Sequence, residues 1–213
     1  MPVTFKWGAR KGDIPPETMP VPEPAAALST SKVLPRVISA LAQRPSPVLL
    51  DLGPVVGSNI AFFGDRLACK IHVEDLYNEV EQYARKANRD GLAASLVGRL
   101  THPDESIDGV LCWDLFDYLD NASGKALATR LATLLRPGGV LYGFFGTTPV
   151  DLLHYTRFAV ASESTFRQKA YPATAVRRNV LLTRDINRMF EGLVVAESVL
   201  LKSSTRETLF RKP

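Results

Sequence analysis

The residues best suited by type and spacing to do chemistry stand in LLDLGPVVGSN, residues 49–59. Two leucines run into Asp51, and Gly53, Pro54, Gly57 and Asn59 follow. An acid at the end of a buried strand, then a glycine turn, then a helix start, makes a ligand loop. The glycines let backbone approach a ligand closely, and the first N–H groups of the helix are free to meet an anionic group. A second acid, Glu74 or Asp75, ends the next apolar stretch and is placed to accept from ribose hydroxyls. Other chemistries lack their residues. The nicotinamide fingerprint G-x-G-x-x-G fails, because positions 53, 55 and 58 read Gly, Val and Ser. The phosphate loop fails too, because Gly124 and Lys125 are followed by Ala126. His72, His102 and His154 are far apart in the chain and make no metal-ligand spacing. Cys69 and Cys112 sit in apolar stretches and read as buried, reduced thiols.

Those residues need a scaffold, and the apolar pattern supplies one. Residues 13–24 hold five prolines, so 1–30 reads as an extended arm. Ser29, Thr30 or Ser31 can cap the helix that follows, with Pro35 in its first turn. VLLDLG is a short apolar run of the buried parallel-strand kind. NIAFFGDRL reads as a helix and CKIHVED as a strand. LYNEVEQYARKANRDG reads as a helix with Gly91 as its C-cap. IDGVLCWDLF is a strand, NASGKALATRLATLLR a helix, and VLYGFFG a strand. This alternation over 31–146 implies a parallel sheet with helices on both faces, which binds ligands at the carboxyl ends of its strands. Residues 147–179 interrupt the pattern as a hairpin or lid. Thr183 then caps a helix, and LVVAESVLLK and RETLFRK form a close antiparallel pair.

The order of these motifs resembles the class I S-adenosylmethionine-dependent methyltransferases, whose first motif is acid-x-Gly-x-Gly-x-Gly. Asp51, Gly53 and Gly57 stand in its register, with Val55 at the middle glycine. HVEDL matches the ribose acid, Asp108 stands at the usual acidic position of the fourth strand, and LLRPGGVLYGFF matches the entry to the fifth. The resemblance covers residues 31–146 and 180–213. It implies a doubly wound, mostly parallel α/β sheet of Rossmann-like type with a C-terminal antiparallel strand pair, and one domain over 31–213. It implies S-adenosylmethionine as cofactor, with Asp51, Gly53, Pro54, Gly57, Asn59, Glu74, Asp75 and Trp113 as cofactor-binding residues. Three departures stand out. Val55 is β-branched and disfavours φ > 0. No third strand and no adenine-recognising acid lie clearly between Glu74 and Asp108, where Asp104 or Glu105 would have to serve. CWDLFD occupies the place of the Asn-Pro-Pro-aromatic motif of many amino-methylating members.

The expected activity is therefore methyl transfer to an unknown acceptor, with Asp114, His154 and Tyr155 as candidates to take a proton. Two alternatives remain at this point. One is a methyltransferase-like domain that binds without catalysis. The other is a nucleic-acid-modifying enzyme using the basic end, where residues 155–213 hold 11 Lys and Arg against 5 Asp and Glu. A small-molecule acceptor is favoured over nucleic acid, because aromatic and basic residues are not densely interleaved. No apolar run is long enough to span a bilayer, no secretory h-region opens the chain, and the free thiols suit a cytoplasmic location.

Overall fold

The structure is a computed structural model that describes residues 27–213, so the proline-rich stretch 13–24 lies outside the described residues. The first half of the chain runs β1 (Ala27–Thr30), α1 (Leu34–Ala42), β2 (Val48–Asp51), α2 (Gly57–Leu67), β3 (Lys70–Val73), α3 (Tyr77–Arg85) and α4 (Leu92–Arg99). It continues with β4 (Ile107–Trp113), a 3₁₀ turn at Leu115–Tyr118, α5 (Asn121–Leu134), β5 (Leu135–Gly146) and β6 (Asp151–Ser162). Last come β7 (Thr165–Arg177), α6 (Thr183–Met189), β8 (Val194–Leu200) and β9 (Thr205–Arg211).

Six strands form one sheet in the order β3-β2-β4-β5-β9-β8. The first four are parallel, and β9 pairs antiparallel with both β5 and β8. The continuous apolar run of β4 has its reason in this order: it lies between β2 and β5 and is buried at every position. Its side chains alternate between two layers. Val110 and Cys112 join the core under α3, α4, α5 and α6, and Leu111 and Trp113 join the core under α1 and α2.

Helix α1 shows how the sequence seats an element. Leu34, Val37, Ile38 and Leu41 make one buried stripe, and the Ser31 hydroxyl accepts from the Leu34 N–H at 2.7 Å. Leu41 then settles onto Gly109 of β4, where an added Cβ would lie 2.8 Å from Leu41 Cδ2. Truncating Leu41 to Ala would cost about 2–5 kcal/mol through the cavity left behind.

The second sheet is small, in the order β1-β7-β6, and antiparallel throughout. Strands β6 and β7 form a long hairpin within the expected insertion 147–179. The last four residues of the expected arm, Ala27–Thr30, are its third strand, because the open edge of β7 offers them hydrogen bonds.

Other boundaries differ from the sequence reading. Gly91 does not end α3, which stops at Arg85; its left-handed backbone (φ 86°) starts α4 instead. That extra helix carries Leu92 and Leu96 at helical spacing, Leu100 follows as its C-cap, and all three are buried. With it in place, no strand forms between β3 and β4. The strand expected over 107–116 ends at Trp113, whose φ of 50° breaks it. Thr183 is the first residue of α6 rather than its cap. No helix among the described residues is long and apolar enough to cross a membrane.

Candidate functional site

Asp51 ends β2 at the carboxyl edge of the sheet, where it is 3 % exposed. Its Oδ1 accepts from the Gly53 N–H at 2.9 Å and from the Trp113 Nε1–H at 2.7 Å. Burial still outweighs these bonds and raises its carboxyl above the usual range. Gly53 is needed here for close approach, since a Cβ on it would lie 2.8 Å from Trp113 Cδ1. Val55 is accommodated without strain. Neither it nor Gly53 nor Gly57 has positive φ, and its side chain is 65 % exposed. The left-handed backbone falls on Trp113, where a bulky residue pays most for it.

The hairpin closes this loop from above. Trp113 stacks on Phe158 of β6, with ring centroids 5.0 Å apart and planes 3° apart. Both are nearly fully buried. Asn59, in the first turn of α2, fixes the strand: its Nδ2 donates to the Phe158 carbonyl at 2.9 Å, and its Oδ1 accepts from the Val160 N–H at 2.7 Å. Farther along, Tyr155 is buried among Tyr77, Tyr118 and Tyr171, and its hydroxyl donates to Glu81 at 3.0 Å. Thr174 of β7 also donates to Glu81, from its N–H and its hydroxyl. These bonds clamp the hairpin onto α2 and α3.

Beside the same strand end lies a cavity of about 510 Å³. Asp114, Asp117, Phe144, Thr156, Phe158 and Phe166 are among its walls. The Asp114 carboxylate accepts from the Tyr77 hydroxyl at 2.5 Å, and burial pushes it up to about 6 against that bond. Asp117 accepts from the Gly146 N–H at 2.9 Å and pairs with Arg178 at 2.9 Å. Burial pushes it up to about 7 despite both. Two adjacent residues, Trp113 and Asp114, thus serve two places: Trp113 bonds to the loop acid and Asp114 lines the cavity.

The fold brings most of the expected site residues to this edge. Asp51, Gly53, Pro54, Asn59 and Trp113 surround the buried floor, while Gly57 opens α2 at the surface with no side-chain cap on that helix end. Glu74 follows β3 and pairs with Arg99 at 3.1 Å. Asp75 lies just before α3, accepting from the Tyr77 N–H at 3.1 Å and from the Asn78 side-chain amide at 3.0 Å. His154 is exposed on the hairpin, and its contribution is a backbone carbonyl that accepts from Tyr118. Asp104 and Glu105 lie at the amino edge, against the end of α5, far from the loop in topology. Asp117 is the residue that sequence reasoning missed. It stands one 3₁₀ turn after Asp114, a spacing that puts both on one face. His72 and His102, distant in the chain, meet with ring centroids 4.7 Å apart, and no group of three or more metal-ligating side chains forms among the described residues.

A group carrying both a sugar and an ionic end fits part of this arrangement. The uncapped α2 terminus and Glu74 are reachable from solvent, whereas Asp51 and Gly53 are covered by the Trp113–Phe158 stack.

Residues 50–143 match a family model described as a methyltransferase domain. No curated protein sequence matches the chain. Among solved structures, the PH0226 protein of Pyrococcus horikoshii OT3 has the same fold at 14% identity, covering 85% of this chain and 88% of that one with a TM-score of 0.54. A 1,6-didemethyltoxoflavin-N1-methyltransferase of Burkholderia thailandensis is similar at 16% identity, over 85% of this chain and 77% of that one, with a TM-score of 0.49. Residues 50–143, set in this Rossmann-like sheet, are thus similar to a methyltransferase domain.

Proposed function

We propose that the chain transfers a methyl group from S-adenosylmethionine to a small-molecule acceptor held in the cavity beside β4, with the β6–β7 hairpin as its lid. The observation that carries this reading is the strand end itself. Trp113 faces the glycine loop and Asp114 faces a cavity of about 510 Å³, so a donor and an acceptor can meet across one backbone position. The hairpin supplies a wall of that cavity and the cover of the loop, so one element excludes water from both.

The cofactor supplies a methyl already activated as a sulfonium, so the protein's work is alignment and exclusion of water. Asp51 holds the loop through Gly53 and Trp113. Glu74 is the group available to ribose hydroxyls, because both oxygens of Asp75 already accept from Tyr77 and Asn78. The helix start at Gly57 offers N–H groups to the carboxylate of the methionine part. Asp114 is the group best placed to take a proton. His154 is exposed outside the cavity walls, and Tyr155 is held by Glu81 with burial raising its hydroxyl above the usual range. Cofactor entry requires the Trp113–Phe158 stack to part, which couples the donor site to the lid.

Calorimetric titration with S-adenosylmethionine tests the reading. The wild-type chain should bind it, and Asp51→Ala and Gly53→Val should each weaken binding at least tenfold, about 1.4 kcal/mol. A wild-type protein that binds nothing at millimolar cofactor would overturn it and leave a binding domain without catalysis.

A further inference from the structure

Tyr77 is the first residue of α3, and it is buried. It holds two acids at once. Its N–H donates to Asp75 at 3.1 Å, and its hydroxyl donates to Asp114 at 2.5 Å. Asp75 follows the end of β3 and Asp114 follows the end of β4, two strands that lie on either side of β2. One residue thus ties the ribose side of the edge to the cavity side. Its ring has little room to turn. It packs crosswise against Tyr118, with centroids 5.8 Å apart, and against Tyr155 at 5.2 Å. Those two rings are tethered in turn, since the Tyr118 hydroxyl donates to the His154 carbonyl and the Tyr155 hydroxyl to Glu81. Asp114 lines the cavity and Tyr77 does not, so the Tyr77 hydroxyl reaches an acceptor only through the carboxylate.

Burial favours the neutral form of Asp114. The Tyr77 hydroxyl opposes this most, ahead of Thr156 and Arg178, which line the same cavity. The hydroxyl keeps its own proton, because burial first and the Asp114 charge next raise it well above the ordinary tyrosine value. It is therefore a fixed donor to Asp114.

We propose that Tyr77 is a positioning residue for methyl transfer: its hydroxyl fixes the Asp114 carboxylate at the cavity wall and keeps it charged, ready to take the acceptor's proton. The proposal rests on the methyltransferase reading of the same site. As the acceptor's lone pair takes the methyl, the S–C electron pair stays on sulfur as a thioether, and the acceptor's surplus proton goes to Asp114. Tyr77 acts only through that carboxylate, which would otherwise be protonated by burial and unable to accept.

The experiment follows the Asp114 carboxyl by NMR in the full chain labelled with carbon-13 aspartate, and Asp114→Asn assigns its signal. Tyr77→Phe keeps the ring and the N–H to Asp75 and removes the hydroxyl alone. The Asp114 titration midpoint should then rise by about one pH unit. Tyr155→Phe removes a neighbouring hydroxyl that serves Glu81, and it should leave the midpoint in place. A second measurement needs no change at Tyr77: its hydroxyl proton should stand far downfield in the wild type and move upfield in Asp114→Asn. Thermal melts check folding, and S-adenosylmethionine binding is measured separately by calorimetry. An unmoved midpoint in Tyr77→Phe overturns the proposal. An equal rise in Tyr155→Phe overturns it too, because the effect then belongs to packing, and so does a hydroxyl proton indifferent to Asp114→Asn. A midpoint that rises only in Tyr77→Phe, in a protein that does not bind S-adenosylmethionine, supports the hold of Tyr77 on Asp114 and sinks the methyltransferase reading instead.

Discussion

The loop side and the cavity side of the carboxyl edge share one strand, β4, yet they are built on opposite terms. On the loop side every buried polar group is answered within the protein. Asp51 accepts from Gly53 and Trp113, and Asn59 answers both a carbonyl and an N–H of β6. On the cavity side Tyr77 donates to Asp114, and Gly146 and Arg178 hold Asp117, yet burial keeps both carboxyls above the usual range, at about 6 and about 7, and both line an open cavity. A satisfied site is stable and closed, and it must open to take a ligand. Carboxylates buried beside an open cavity carry a desolvation cost that a ligand can offset. The Trp113 backbone in its left-handed conformation is where the two meet.

The largest expected effect comes from breaking the satisfied side. Asp51→Ala strands the Gly53 N–H and the Trp113 indole N–H in the core. Each buried unsatisfied donor costs about 1–3 kcal/mol. A melt should show a fall of several degrees, at about 2–4 °C per kcal/mol for a domain of this size.

Asn59→Ala sharpens the comparison. It removes two hydrogen bonds that hold β6 over the loop, each worth about 0.5–1.5 kcal/mol. Stopped-flow mixing should show faster association of S-adenosylmethionine, because the lid opens more often. If Asn59 instead contacts the cofactor directly, as its sequence position suggests, affinity falls with no gain in association rate.

The cavity side gives a pH test. An ordinary aspartate has a pKa of 3.8 and Asp114 is raised to about 6 in the fold, so the folded state holds its proton more tightly than the unfolded chain. Stability from this group is then lost as pH rises from near 4 through about 6. Asp114→Asn should match wild type at pH 4 and melt a few degrees higher at pH 8. Arg178 is close enough to damp the difference, and Asp117 to enlarge it.

The smallest effect is expected at Val55. Its side chain points into solvent and its φ is not positive, so Val55→Gly should change stability by less than about 1 kcal/mol and cofactor affinity by less than about threefold. A large gain in affinity on Val55→Gly would show that the valine obstructs the loop.

Much of the scaffold was legible because its signals are local. VLLD and IDGVLCW are apolar without alternation because both faces of a central strand are covered, and LPRVISALA shows a helical stripe because only one face is. Helix α4 was missed although Leu92, Leu96 and Leu100 stand at helical spacing, because a glycine that reads as the end of one helix equally starts the next. The site was less legible because its key facts are tertiary. Nothing local says that Trp113 reaches back to Asp51, or that Asn59 grips a strand about a hundred residues later. Asp75 illustrates the limit: the same acid after a strand reads as a ribose ligand or a helix cap, and only the fold shows that it accepts from Tyr77 and Asn78 at the start of α3. Asp117 was within reach, since a second acid one 3₁₀ turn from Asp114 shares its face. The basic excess of the C-terminal region also changes meaning in three dimensions, where Arg177, Arg178 and Arg184 pair with Asp151, Asp117 and Asp185.

The measurement that bears most directly on the account follows the Trp113–Phe158 stack during cofactor binding. In a Trp7→Phe background Trp113 is the sole tryptophan, and hydrogen exchange at the Val160 amide reports its bond to Asn59. The account predicts that saturating S-adenosylmethionine shifts the Trp113 emission and lowers protection at Val160. Saturable cofactor binding that leaves both the emission and the Val160 protection unchanged would contradict it, because the cofactor would then bind without opening the hairpin.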